Sequence, residues 1–152
     1  MKQNYVLDTC ICVFVLRGKY GVASILDELD NTCCYISEVT LAELKYGIEC
    51  SNDRENGLKQ LSSFVTEINV IPFEAAIDTF SKEKARLRRN GTPIDDFDLL
   101  IGATAKALNM TLVTDNIWQV SDKYWNLPFL FSFSWNMSIL YVFLHKIYCL
   151  WN

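Results

Sequence analysis

An alternation constrains this chain most. Short apolar runs of strand character take turns with longer segments whose apolar residues recur at helical spacing. Tyr5-Val-Leu7 is a short buried strand ending at Asp8, and Thr9 is a candidate cap for a helix over Ile11 to Leu16. After Gly18 and Gly21, Val22 to Leu29 is a second helical pattern. Cys33-Cys-Tyr-Ile36 is the next strand, and a helix from about Val39 to Glu49 carries Leu41, Leu44 and Ile48 on one face. Ser37 or Thr40 caps it, and Thr40 with Glu43 fits the capping-box pattern. Beyond a polar turn, Asn52 to Asn56, come an amphipathic helix over Leu58 to Phe64 and a strand over Ile68 to Ile71, stopped by Pro72. A helix from Glu74 to Arg89 stops at Asn90-Gly91. Pro93 opens a helix over Asp95 to Leu108, and the strand Thr111 to Thr114 ends at Asp115-Asn116. This order predicts an α/β fold, a doubly wound and mostly parallel sheet flanked by helices.

At 152 residues the chain has one domain's length and can bury a core without staples. Its 18 acids against 14 bases give a formal charge of −4. That argues against gripping nucleic acid by bulk positive charge. It leaves open a nucleic-acid enzyme with a metal-loaded site, because bound cations invert the local charge. Cys10, Cys12, Cys33, Cys34, Cys50 and Cys149 match no zinc spacing and follow no secretory signal, so they are expected to be reduced thiols.

Ligands bind beyond the carboxyl ends of strands in open parallel sheets, and acids gather there in this sequence. Asp8 ends the first strand; Asp115 and Asn116 end the strand at 111–114. Asp95, Asp96 and Asp98 crowd the first turn of one helix, and Glu43 lies a turn into another. Each has a bland reading. Asp8 and Asp95 can be helix caps, Glu43 the end of a capping box, Asp96 a solvated acid, and Asp115-Asn116 a turn. Asp98 is harder to dismiss, since Leu99-Leu100-Ile101 follows directly. Together, carboxylates without His or Cys partners suit Mg²⁺ or Mn²⁺ and metal-assisted phosphoryl transfer.

The same residues carry a resemblance. Tyr5-Val-Leu-Asp-Thr-Cys-Ile11 resembles the opening strand of the PIN-domain family, and Ile36-Ser-Glu-Val-Thr-Leu-Ala-Glu-Leu-Lys-Tyr-Gly47 its second motif. Gly91-Thr-Pro-Ile-Asp-Asp-Phe-Asp-Leu-Leu-Ile-Gly-Ala-Thr-Ala105 resembles the third and Leu112-Val-Thr-Asp-Asn116 the fourth. Order and spacing are similar to those of VapC-type toxins of bacterial toxin–antitoxin modules. The resemblance implies a PIN-like, Rossmann-like fold and a ribonuclease with an acidic site for Mg²⁺ or Mn²⁺. Within it Asp8 is the first-strand metal ligand, Glu43 the acid of the second motif and Asp98 the third acid. Asn116 falls where the family has Asp or Asn, with Asp115 beside it as a stand-in ligand. The resemblance also implies an RNA substrate, a cytoplasmic setting, and a homodimer or a hetero-oligomer with a cognate antitoxin that inserts into a groove. Two residues depart from the pattern: Cys10 stands where the family usually has Asn, and Asp95 where it often has Gly.

Residues 118–152 read as an atypical aromatic, apolar tail to a nuclease domain over 1–117. The stretch Tyr124 to Leu144 is long enough to span a bilayer, but Asn126, Pro128, Asn136 and interspersed serines argue against a span. A packed terminal strand and helix, or a sequence drifted from a functional ancestor, are the other readings. The tail also motivates an alternative, a catalytically impaired PIN-like module kept for antitoxin binding. A receiver-type phosphotransfer domain fits worse, because Asp8 lacks an adjacent acid and no Lys closely follows Leu112 to Thr114. Lys82, Lys84, Arg86, Arg88 and Arg89 form either a solvated helix face with Glu83 or a set of phosphate contacts beside the acids.

Overall fold

The computed structural model describes residues 3–28, 33–115 and 129–130. Strand β1 (Tyr5–Leu7) leads into α1 (Thr9–Leu16) and α2 (Val22–Glu28). Strand β2 (Cys34–Ser37) leads into α3 (Glu38–Glu49) and α4 (Arg54–Glu67). Strand β3 (Asn69–Ile71) is followed by a 3₁₀ turn (Phe73–Ala76), α5 (Ile77–Arg89) and α6 (Asp96–Ala107). Strands β4 (Thr111–Val113) and β5 (Phe129–Leu130) complete the order. The sheet runs β3-β2-β1-β4-β5 with every neighbouring pair parallel. The chain steps outward from β1 to β3, then returns to lay β4 against the other side of β1. The doubly wound α/β expectation holds, and the switch point falls between β1 and β4, where such sheets place their ligands.

Period-two side-chain alternation sorts β1 between two cores. Tyr5 and Leu7 pack with Ile11, Val22, Leu26, Leu44 and Leu61, under the layer made by α1 to α4. Val6 packs on the opposite face with Leu87, Leu99, Ile101 and Leu112, under α5 and α6. Helix α6 is buried from Leu99 through Ala105. Gly102, Ala103 and Ala105 let it press against its neighbours, and the Thr104 hydroxyl donates to Leu100 O at 2.9 Å, so its buried oxygen costs little. This all-round burial anchors the helix that carries Asp98 in its first turn.

Several local expectations shift. Thr9 is not the cap of α1: Asp8 is, its carboxylate accepting the Thr9 N–H. Ser37 caps α3, accepting from Thr40 N at 3.0 Å, and Glu43 takes no part in a capping box. Helix α4 starts earlier, inside the expected polar turn. Asn90-Gly91 does end α5: Gly91 adopts φ +67°, and the Thr92 N–H donates back to Leu87 O at 3.1 Å. Beyond residue 117, where the sequence offers a packed terminal strand as one alternative without placing it, Phe129 and Leu130 pair with Leu112 and Val113 of β4. The rest of 117–152, including Asn116's neighbours downstream and Cys149, lies outside the described residues. Among the described residues no helix is long and apolar enough to cross a membrane.

Candidate active site

The end of β1 is tied to the end of β4. The Asp8 N–H donates to Val113 O at 2.9 Å, which sets Asp8 beside Thr114. Both are buried, Asp8 at 7% exposure and Thr114 at 1%. A buried carboxylate without a cationic partner must be held by donors. Asp8 Oδ1 accepts the Thr9 N–H at 2.7 Å, and Oδ2 accepts the Thr114 hydroxyl at 2.5 Å and the Cys10 thiol at 3.4 Å. Cys10 Sγ in turn accepts the Asp115 N–H at 3.3 Å. Burial, and then the Asp8 charge, push the Cys10 thiol up to about 12, so it remains a protonated donor.

Glu43 reaches the same place from α3. Its Oε2 accepts the Thr9 hydroxyl at 2.5 Å, leaving Oε1 without a partner among the described residues. Thr9 therefore orients two acids at once, Asp8 through its N–H and Glu43 through its hydroxyl. Burial raises Glu43 above the usual carboxylate range; the Thr9 bond offsets part of that, and the charges of Asp8 and Asp95 add to it.

Asp98 projects from the first turn of α6, after Asp95 caps the helix by accepting the Phe97 N–H at 3.0 Å. Burial first, then Asp8, Asp95 and Glu43, push Asp98 up to about 6. Asp8, Glu43 and Asp98 thus share one electrostatic field. Asp96 is set apart from them by its ion pair with Lys84. Asp115 lies two residues past the end of β4, its N–H donated to Cys10 Sγ, and Asn116 lies outside the described residues.

No Lys or Arg among the described residues pairs with Asp8, Glu43 or Asp98. The set lacks positive charge, and a divalent cation is the kind of charge that fits it. No three described His, Cys, Asp or Glu side chains form a ready-made cation cage. Mg²⁺ needs none, since it commonly binds through one or two carboxylates and keeps several waters. Asp8, Glu43, Asp98 and Asp115 are the residues that could hold it. A groove of about 260 Å³ lies between α1, α3 and α4, with Val13, Leu16, Arg17, Leu44 and Ile48 along it and Glu43 in its wall.

Sequence reasoning picked out the acids and missed the groups that hold them. Thr9, Cys10 and Thr114 are the missed residues. The available signal was a hydroxyl adjacent to an acid at two strand ends, Asp8-Thr9 and Thr114-Asp115.

Comparison with known proteins fits this geometry. The PIN domain family profile matches residues 5–117. The tRNA(fMet)-specific endonuclease VapC of Shigella flexneri is 35% identical over 114 residues, covering 74% of this chain and 86% of that protein. Ribonuclease VapC2 of Rickettsia felis is 36% identical over 118 residues, covering 74% and 87%. Among solved structures, VapBC2 of Rickettsia felis bound to a promoter DNA fragment has a TM-score of 0.77 at 32% identity, over 84% of this chain and 98% of that one. DNA-bound VapBC of Salmonella typhimurium has a TM-score of 0.76 at 27% identity, over 84% and 97%. With four motifs in order, a switch point lined by acids and a profile match across most of its length, this chain belongs to the PIN-domain family and groups there with the VapC ribonucleases.

Proposed function

We propose that this chain is a divalent-metal-dependent endoribonuclease, the toxin of a toxin–antitoxin pair, working in the cytoplasm with Mg²⁺ or Mn²⁺. The observation that carries the reading is the shared field of Asp8, Glu43 and Asp98, with no basic partner among the described residues, at the switch point of a PIN fold. When bound, the cation supplies an acidified water and a clamp on phosphate oxygens. The residues of the chain do the positioning. Asp8, fixed by Thr9, Thr114 and Cys10, presents its remaining lone pairs in one orientation. Glu43 has Oε1 without a partner among the described residues and so available to a ligand. Asp98, pushed up by burial and its three acidic neighbours, would lose its proton to solvent more readily with a cation bound, because the cation would offset those charges. Asp115, two residues past β4, completes the set, with Asn116 the other candidate by sequence alone.

The names of the relatives support an RNA substrate and a cognate antitoxin for this chain, and the groove beside Glu43 is the place we assign to an inserted antitoxin segment. Homodimerisation or a mixed toxin–antitoxin oligomer belongs to the same proposal.

Cleavage of RNA by the purified chain tests it. Activity is expected with Mg²⁺ or Mn²⁺ and not with chelator, and Asp8→Asn or Asp98→Asn is expected to lower it by about a hundredfold or more, since each removes a charge that clamps the metal. Cleavage that survives chelation, or survives both substitutions, rules the reading out. A chain that binds an antitoxin but cleaves no RNA under any metal would instead be the impaired module.

A further inference from the structure

Cys10 stands between the two strand ends that make the site. Its Sγ lies 3.4 Å from Asp8 Oδ2, 3.9 Å from Thr114 Oγ1 and 3.3 Å from the Asp115 nitrogen. It is half-buried and unpaired as a disulfide. A thiol has one proton to donate and a sulfur that accepts weakly, and both are in use here. The proton goes toward a buried carboxylate, and the sulfur receives the first N–H beyond Thr114. The sulfur is thus a link in a chain from Asp115 through Cys10 to Asp8, running across the β1–β4 boundary. Alanine would leave Oδ2 with the Thr114 hydroxyl alone and the Asp115 N–H without this acceptor.

We propose that Cys10 is a positioning residue for the acidic site: its thiol holds the Asp8 carboxylate in register with the end of β4 and so sets how tightly the site takes a divalent cation. The proposal deepens the metal-dependent reading above and rests on it. Groups that orient a ligating carboxylate contribute to metal affinity without touching the metal. The role belongs to the sulfur itself, which at this position supplies both a donor to Asp8 and an acceptor for the Asp115 N–H. Serine keeps one donor and one acceptor at the same place; alanine keeps neither.

The test uses the full chain as wild type, Cys10→Ser and Cys10→Ala, and reads Mn²⁺ binding directly by calorimetry. Cys10→Ala is expected to weaken Mn²⁺ binding about tenfold, Cys10→Ser to recover most of that, and the metal-free melting temperatures to stay close. Unchanged Mn²⁺ binding in Cys10→Ala overturns the proposal. So does an equal loss in Cys10→Ser, because the sulfur would then act through packing alone. A second readout needs no metal. The S–H stretching band isolated by the infrared difference between wild type and Cys10→Ser should lie at the low frequency of a strong acceptor and move in Asp8→Asn. A band unmoved in Asp8→Asn overturns the clamp. If the wild-type chain binds no Mn²⁺ while the band does move, the thiol–Asp8 bond stands and it is the metal reading that has failed.

Discussion

Asp98 shows what the site costs the chain that carries it. A half-buried carboxyl pushed up to about 6 by burial and by Asp8, Asp95 and Glu43 binds its proton more tightly folded than unfolded. Its favourable contribution is therefore complete below the ordinary value of 3.8 and is lost as pH rises through about 6. Asp98→Asn should raise the metal-free stability at pH 7 to 8, by about 1–2 kcal/mol after allowing for solvent screening. The gain should vanish below pH 4, and saturating Mg²⁺ should shrink it at neutral pH. Thermal melts of both proteins across pH check this; a gain that persists at low pH would assign it to helix propensity rather than charge. At this scale the acids were legible because strand ends and first helical turns are sequence-local features. Their fixings were not. Thr9 reaches Glu43 on another helix, and Thr114 reaches Asp8 across 106 residues, so the first bond exists only once α1 packs against α3 and the second only once β1 and β4 are paired. The capping-box pattern of Thr40 and Glu43, one of the two readings the sequence offers, goes unfilled for the same reason: the partner of Glu43, Thr9, is far away in sequence.

Between elements, the basic run on α5 divides into two kinds of residue. Glu83, which the sequence offers as one acid on a solvated face, is 8% exposed and joins α5 to α6. Burial alone would raise its carboxyl; hydrogen bonds from Lys106 and Arg86, each at 2.7 Å, more than offset that and hold it below the usual range. Both cations stay about one-third exposed, at 33% and 35%, so water can recover them when Glu83 is removed. Glu83→Ala should then cost about 2 kcal/mol, below the loss for a wholly buried pair. Because the shift is downward, this stabilisation is present above the ordinary carboxylate value and fades as pH falls, so denaturant curves of wild type and Glu83→Ala should converge on acidification. Lys82, Arg88 and Arg89 are exposed and enter no ion pair among the described residues. These three are the candidates for phosphate contacts. Arg88→Ala with Arg89→Ala should weaken RNA binding and flatten its salt dependence while leaving the melting temperature in place. An unchanged salt slope would return the face to plain solvation. Helical periodicity could not separate these groups, because a charged side chain turned toward a neighbouring helix and one turned toward water look alike in sequence.

For the whole molecule, the order β3-β2-β1-β4-β5 explains both the site and the weak point of the sequence reading. The four longer strands announce themselves by apolar runs between helices. Strand β5 has two described residues in an aromatic stretch without alternation, so no period separates it from its surroundings. Its placement nonetheless has consequences. Strand β4 is buried, with Leu112 at 2% and Val113 at 7% exposure, and it carries Thr114 and Asp115 to the acids. Pairing of Leu112 with Phe129 and Val113 with Leu130 makes β4 an interior strand. A boundary at 117/118 and a sheet that needs β5 make different predictions for two truncations. Ending the chain after Asn116 leaves β4 as an edge, with unpaired backbone groups and an apolar strand open to other chains. The two lost ladder positions should lower stability by about 1–3 kcal/mol and promote aggregation, and the end of β4 should hold Asp8 less firmly, so metal-dependent cleavage should fall as well. Ending the chain after Ser132 keeps β5 and should preserve both stability and cleavage. Melting temperature and RNA cleavage of the two truncated chains beside the full-length chain decide the matter. Equal behaviour of both truncations would support the boundary at 117/118, and a loss confined to the shorter chain would extend the nuclease domain through β5.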